Sequence, residues 1–279
     1  MTSPCPSDHT YTHGYDASVI DGHSKRTAQN SAGTLLGMLR PGMDVLDIGS
    51  GAGTITADLA QAVAPGRVVA VERDHTAAEL TRRTLEQRGI NTVEVVVEDA
   101  HQLSFPDHSF DVVHAHQVLQ HVADPVLVLR HMWRVTRPQG IVAARDADYT
   151  AFSWYPHDPR LERWRELYLL AARHNGGHPD AGVRLKYWAE QAGIHPARVG
   201  AAIWPFSTPD DLTWWCQSWA QRISNTQLAT QILRQGWASE EELHDIAAAF
   251  RSWGSQPGAY FMVPHGELIA RKPHPPAAS

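Results

Sequence analysis

Short runs of β-branched residues recur along the first half of the chain, each closed by a glycine, an acid or a polar loop. They fall at Asp44–Ile48, Val68–Glu72, Val93–Val97, Asp111–Ala115 and Ile141–Arg145, and their length and endings predict strands. Helical periodicity fills the gaps. Ile55, Leu59 and Val63 recur at steps of four, and Thr76–Arg88 runs into a C-terminal stop at Gly89. Val126, Leu129 and Trp133 share one face over Pro125–Thr136, with Asp124 at the N-cap and Pro125 in the first turn. Strands alternating with helices imply a parallel sheet with right-handed crossovers. An earlier helix is predicted over Ser24–Leu39, with Ala28, Ala32, Leu35, Leu36 and Leu39 on the face that packs on the sheet and Pro41-Gly42 as its stop.

After residue 146 the rhythm changes. Asp158-Pro159 opens a helix whose Leu161, Trp164, Leu167, Tyr168 and Ala171 share a face, and the stretch from Asn175 to Pro179 breaks it. A strand is predicted through Val199–Trp204. Thr208-Pro209-Asp210-Asp211 and Ser239-Glu240-Glu241-Glu242 are capping signatures. The helices they start carry Leu212, Trp215 and Trp219, then Leu243, Ile246, Ala247 and Phe250. A last strand is predicted over Tyr260–Val263 and on through Glu267–Ala270, before a frayed tail at 273–279.

Composition narrows the function classes. The 279 residues carry 24 Lys+Arg against 30 Asp+Glu, a net charge of −6, and 43% of them are hydrophobic, so the chain can bury a full core. The acidic balance and the lack of a Lys/Arg block argue against a nucleic-acid partner. Two cysteines, Cys5 and Cys216, allow neither a disulfide framework nor a Cys-based zinc site. Met1 to Asn30 is polar and His-rich, unlike a signal peptide, and no apolar run reaches the ~18 residues of a membrane span. A cytoplasmic protein is the expectation. Nine of the ten tryptophans lie at or beyond Trp154, which suits a helical cap over an apolar pocket; filling the cap's own core would account for the same residues.

Val45-Leu46-Asp47-Ile48-Gly49-Ser50-Gly51-Ala52-Gly53-Thr54 reads as a strand, a glycine-rich turn and a helix start. Glycines at alternate positions let the backbone turn tightly and approach a ligand. A dinucleotide loop would place its last glycine where Thr54 stands. Asp47 opposes a pyrophosphate but suits a cationic amino-acid ligand, with bracing of the loop as its plainer reading. Glu72 closes the second strand, where a carboxylate can accept both hydroxyls of a ribose. A ribose plus a zwitterionic amino acid without phosphate describes S-adenosylmethionine.

Residues ~43–146 resemble the class I S-adenosylmethionine-dependent methyltransferases, in particular the ubiquinone/menaquinone-biosynthesis branch that acts on small molecules. The residues carrying the likeness are the Asp47–Gly53 loop, Glu72, Glu98-Asp99-Ala100, the run from Ser104 to Asp111, and Leu119-Gln120-His121-Val122. The resemblance implies an α/β fold: a Rossmann-like, seven-stranded, mostly parallel sheet flanked by helices, with a helical cap inserted late in the chain. It divides the chain into an N-terminal arm and helix closing over the cofactor (1–42), a cofactor-binding core (43–150), a substrate cap interleaved with the last two strands (151–272) and a tail.

The same resemblance implies that Gly49, Ser50, Gly51 and Gly53 cradle the methionine part and Glu72 holds the ribose. Asp99 then accepts from the adenine amino group, the Ala100 N–H meets the ring, and His116 and Gln117 border the sulfonium. Tyr15 and Arg26 are the arm's candidates, with Arg26 suited to the methionine carboxylate. Glu98 departs from the pattern, which often has glycine before its aspartate. Arg73 reads as a surface neighbour.

Methyl transfer is an in-line displacement from a neutral leaving group, so the protein contributes alignment and exclusion of water. A base is required only for a poorly acidic nucleophile; His116, His121, Asp148, Tyr149 and His174 are the base or orienting candidates. An aromatic cap over a cationic cofactor favours a largely apolar small-molecule acceptor, methylated at carbon, oxygen or nitrogen, with S-adenosylhomocysteine as co-product. His114, His116 and His121 could suggest a metal, but only His114 and His116 project from one side of a strand end, a metal site adds a third converging ligand, and nothing here requires one. A homodimer is a further expectation. Two rival readings are an NAD-dependent oxidoreductase and a non-catalytic S-adenosylmethionine-binding protein.

Overall fold

The computed structural model describes residues 26–274. Five parallel strands form one half of the sheet: β1 (Val45–Ile48), β2 (Val68–Glu72), β3 (Val93–Val97), β4 (Phe110–His116) and β5 (Thr136–Ala147). β1 lies between β2 and β4, with Val45 opposite both Val68 and Val112. β8 (Tyr260–Arg271) runs antiparallel to β5, and β7 (Ala197–Phe206) pairs antiparallel along its other side. The order 3-2-1-4-5-8-7 is the seven-stranded, mostly parallel sheet expected from the sequence. A three-residue strand not foreseen there, β6 (Ser153–Tyr155), pairs with the start of β8.

The local signals sit where the sequence places them. Asp74 caps α4 (His75–Gln87), Asp124 caps α5 (Pro125–Val135) and Asp158 caps α6 (Pro159–His174), each accepting backbone N–H groups of the first turn. Thr208 and Ser239 do the same for α8 (Pro209–Asn225) and α10 (Glu240–Trp253). The first predicted helix differs. Its described part forms two single turns, α1 (Ala28–Ser31) and α2 (Gly33–Leu36), because Ala32 leaves helical geometry at φ −141° and Gly33, a weak helix former, follows it. Its apolar face was read correctly: Ala28, Ala32, Leu35 and Leu39 are buried with Leu59 and Val63 of α3 (Thr54–Val63).

Two packed regions build the rest. Helices α6, α8, α9 (Gln227–Arg234) and α10 close around a core that holds Trp164, Trp215, Trp219 and Trp253. The tryptophan-rich second half therefore fills its own interior. Helix α7 (Ala181–Gln191) lies inside the predicted cap range but packs on the sheet instead, where Leu185 and Trp188 join Leu129, Met132 and Val142. The strand order reverses between β1 and β4, so loops leaving their carboxyl ends diverge and leave a crevice there.

Candidate active site

The crevice is built on the loop after β1. Gly49 adopts φ +73°, and a Cβ there would stand 2.4 Å from Val118 Cγ2. Gly53 adopts φ +77°, and its Cβ would meet the backbone of Thr81 on α4 at 2.9 Å. The first glycine makes room for the β4 loop and the second lets α3 lie close to α4. Thr81 Oγ1 donates to the Gly51 carbonyl at 2.9 Å and shares a 2.8 Å hydrogen bond with Ser50 Oγ. These contacts fix the loop from behind and leave its front open.

A cavity of about 380 Å³ opens on that front, within the usual size of small-molecule sites. Gly49, Ser50, Gly51 and Ala52 form its floor, with Glu72, Asp99 and Ala100 along one side and His116, Gln117, Val118 and His121 along the other. Glu72 Oε1 accepts from the Gly51 N–H at 2.6 Å and Oε2 from the Arg73 N–H at 3.1 Å. Burial pushes the Glu72 carboxyl up to about 7, against these two hydrogen bonds. Asp99 behaves oppositely. Burial raises its pKa, but the backbone N–H and ring of His101, the latter at 2.6 Å, together hold it below the usual carboxylate range.

The opposite wall is neutral. His116 is 5% exposed, and neither ring nitrogen has a hydrogen-bond partner among the described residues. Burial, then the nearby Arg26 and Arg145, hold its pKa well below 6.5. Burial takes His121 down to about 3. Gln117 Oε1 accepts from Arg26 Nη2 at 2.7 Å, and its Nε2 lies 2.9 Å from His265 Nε2. Among the described residues no group of three or more His, Cys, Asp or Glu could hold a metal, and no helix is long and apolar enough to cross a membrane.

A family model described as a methyltransferase domain matches residues 39–193. An uncharacterized methyltransferase of Schizosaccharomyces pombe is 30% identical over 96% of this chain and 98% of its own. The chain belongs to the methyltransferase family. It is an S-adenosylmethionine-dependent methyltransferase. The likeness to a ubiquinone/menaquinone biosynthesis C-methyltransferase of Hahella chejuensis is narrower: 33% identity over 56% of this chain and 68% of that one. The crystal structure of a candidate methyltransferase from Bacillus halodurans superposes with a TM-score of 0.59 at 20% identity, covering 86% of this chain and 98% of that one.

The methyltransferase brings most of its predicted cofactor residues to one cavity: Arg26, Gly49, Ser50, Gly51, Glu72, Asp99, Ala100, His116 and Gln117 all line it. Gly53 does not; it serves helix packing. Asp47 does not line it either. Its carboxylate is 2% exposed, accepting from Thr56 Oγ1 at 2.6 Å and lying 2.7 Å from His114 Nδ1. Tyr15 lies outside the described residues.

The other base candidates fare differently. His121 lines the cavity. Tyr149 is stacked between Phe152 and Tyr168, with centroids 4.4 and 4.2 Å away, inside the aromatic core. His174 is exposed at the end of α6 beside Trp237 and is not brought to the cavity. Asp148 caps the turn at 149–151 through the Thr150 N–H. Arg73, read as a surface neighbour, is exposed and lines the cavity all the same. His101 was missed; its spacing two residues after Asp99 was the available signal.

Proposed function

We propose that this methyltransferase transfers the methyl group of S-adenosylmethionine to a small, largely apolar acceptor. One observation carries the reading: the glycine-loop cavity holds two half-buried carboxylates, Glu72 and Asp99, on one side and a neutral, histidine-lined wall on the other. S-adenosylmethionine supplies an electrophilic methyl group on a sulfonium. Glu72 is placed for the ribose hydroxyls, Asp99 and Ala100 for the adenine edge, Gly49 to Gly51 for the methionine part, and Arg26 for its carboxylate. Asp47 acts on the loop indirectly, through Thr56 and His114.

The chemistry required of the protein is alignment. His116 and His121 are too weakly basic to remove a proton from an ordinary alcohol, so they serve as neutral walls and hydrogen-bonding groups. Thr54, standing where a dinucleotide loop needs its last glycine, counts against NAD. The likeness to the ubiquinone/menaquinone biosynthesis C-methyltransferase supports methylation at carbon as one form of this reading.

The test is incubation with methyl-labelled S-adenosylmethionine and a panel of phenols, enols and amines, read by product mass spectrometry. Label in an apolar aromatic or enolic product supports the proposal. Label only in small amino acids or in protein contradicts it, and tight cofactor binding without turnover on any acceptor favours the non-catalytic reading. Light scattering reads the expected homodimer: twice 30.9 kDa supports it, and 30.9 kDa counts against it.

A further inference from the structure

Beside the cavity the charge balance is uneven. Arg145 on β5 is the register partner of His116 on β4 and is only 4% exposed. Its guanidinium lies over the face of Trp204 at 4.8 Å, and its Nε is 3.2 Å from Glu267 Oε1. Among the described residues its Nη1 is buried without a hydrogen-bond partner, as are both ring nitrogens of the adjacent His116. Arg26 also lies over the Trp204 ring, 5.8 Å from its centroid. Burial lowers Arg145 to about 10, which still leaves it charged at neutral pH.

The negative side is smaller. Among the described residues Glu267 is the one carboxylate ion-paired with Arg145, and its other oxygen accepts from Thr34. Asp146, on the same strand, has one oxygen occupied by the Gln120 N–H, and burial pushes its carboxyl up to about 7. His265 is neutral like His116, held there by burial first and Arg145 second. A bound sulfonium adds positive charge beside Arg145, while Arg26 faces the methionine carboxylate. Buried polar atoms without partners are costly, on a guanidinium more than on a neutral ring. A ligand oxyanion would satisfy both.

We propose that Arg145 and His116 form an oxyanion subsite that takes the acceptor as its conjugate base, a phenolate or enolate. This rests on the methyl-transfer reading above and names the acceptor class. The acidic acceptor loses its proton to solvent before transfer, aided by the cationic surroundings, which explains why the site needs no basic histidine. In the transfer the carbon–sulfur bond breaks, its electron pair stays on sulfur, and the anion's pair forms the new bond to the methyl carbon at oxygen or at the conjugated carbon. One anion and one sulfonium become a neutral methylated product and a neutral thioether.

The probe is 4-nitrophenol, whose phenolate absorbs visibly, titrated into protein saturated with S-adenosylhomocysteine. The wild type should bind the phenolate about tenfold more tightly than the phenol, lowering the probe's apparent pKa by about one unit. Arg145→Gln should abolish that preference. Glu267→Gln, which removes the competing carboxylate, should increase it, and a merely structural role for the pair would instead weaken both variants alike. Equal binding of the two forms, no phenolate binding, or a preference that survives Arg145→Gln overturns the subsite. If Arg145→Gln does not fold, the sign of the Glu267→Gln change decides. Calorimetry with S-adenosylhomocysteine runs beside it: failure of the wild type to bind it overturns the methyl-transfer reading, whereas binding without phenolate preference overturns the subsite alone.

Discussion

The Gly51 N–H donates to Glu72 Oε1 at 2.6 Å, tying the end of β2 to the loop after β1. The carboxylate proposed to hold the ribose thus also sets the loop proposed to hold the amino-acid end. With its pKa raised to about 7 by burial, only the ionised fraction is ready to accept hydroxyl donors. Affinity for S-adenosylhomocysteine should therefore fall about tenfold between pH 8 and pH 6, as that fraction falls. Calorimetry across this range checks it, and Glu72→Gln should bind weakly with no such slope.

Gly49→Ala should damage both stability and binding. The residue sits at φ +73°, and the new methyl group would overlap Val118 Cγ2. The left-handed conformation alone costs about 1–2 kcal/mol for a non-glycine residue. Urea unfolding of Gly49→Ala and of Gly49→Ala/Val118→Ala separates the causes: the second change should recover the clash and leave the backbone cost.

Asp47→Asn should cost more in folding than in cofactor affinity. The carboxylate is buried and bonded to Thr56 and His114 from α3 and β4. Weakening a buried, charge-assisted pair costs on the order of 2 kcal/mol. Denaturant midpoints and S-adenosylhomocysteine affinities, measured on the same variant, give the two effects directly.

Asp146 predicts a pH dependence of stability. Burial raises its pKa from 3.8 to about 7 in the folded chain. The folded state then holds the proton more tightly than the unfolded state, so this contribution is fully present below about pH 4 and is lost as pH rises to about 7. Asp146→Asn keeps an oxygen for the Gln120 N–H and removes the charge. Its melting temperature relative to wild type should rise more at pH 8 than at pH 5.

The strands, caps and loop were legible because their signals are local. Asp124 three residues before Leu127, or glycine at 49 and 51 after a β-branched run, describes a turn whatever surrounds it. Which side chains face the cavity was less legible. Asp47 sits two residues before Gly49, but its partners Thr56 and His114 are set by helix packing and strand register, which spacing does not state. His174 ends α6 beside Trp237 rather than at the cavity, which its place in the sequence does not state. The cluster of Arg145, Trp204, His265 and Glu267 spans β5, β7 and β8, so only the antiparallel register puts those residues on one face.

The most direct test of the account is calorimetric titration of the wild type with S-adenosylhomocysteine and, separately, NADH, repeated for Glu72→Ala and Asp99→Ala. One-site micromolar binding of S-adenosylhomocysteine, lost or weakened at least about tenfold in both variants, is the predicted result. Binding of NADH alone, or S-adenosylhomocysteine affinity unchanged by either substitution, would contradict the assignment of this cavity.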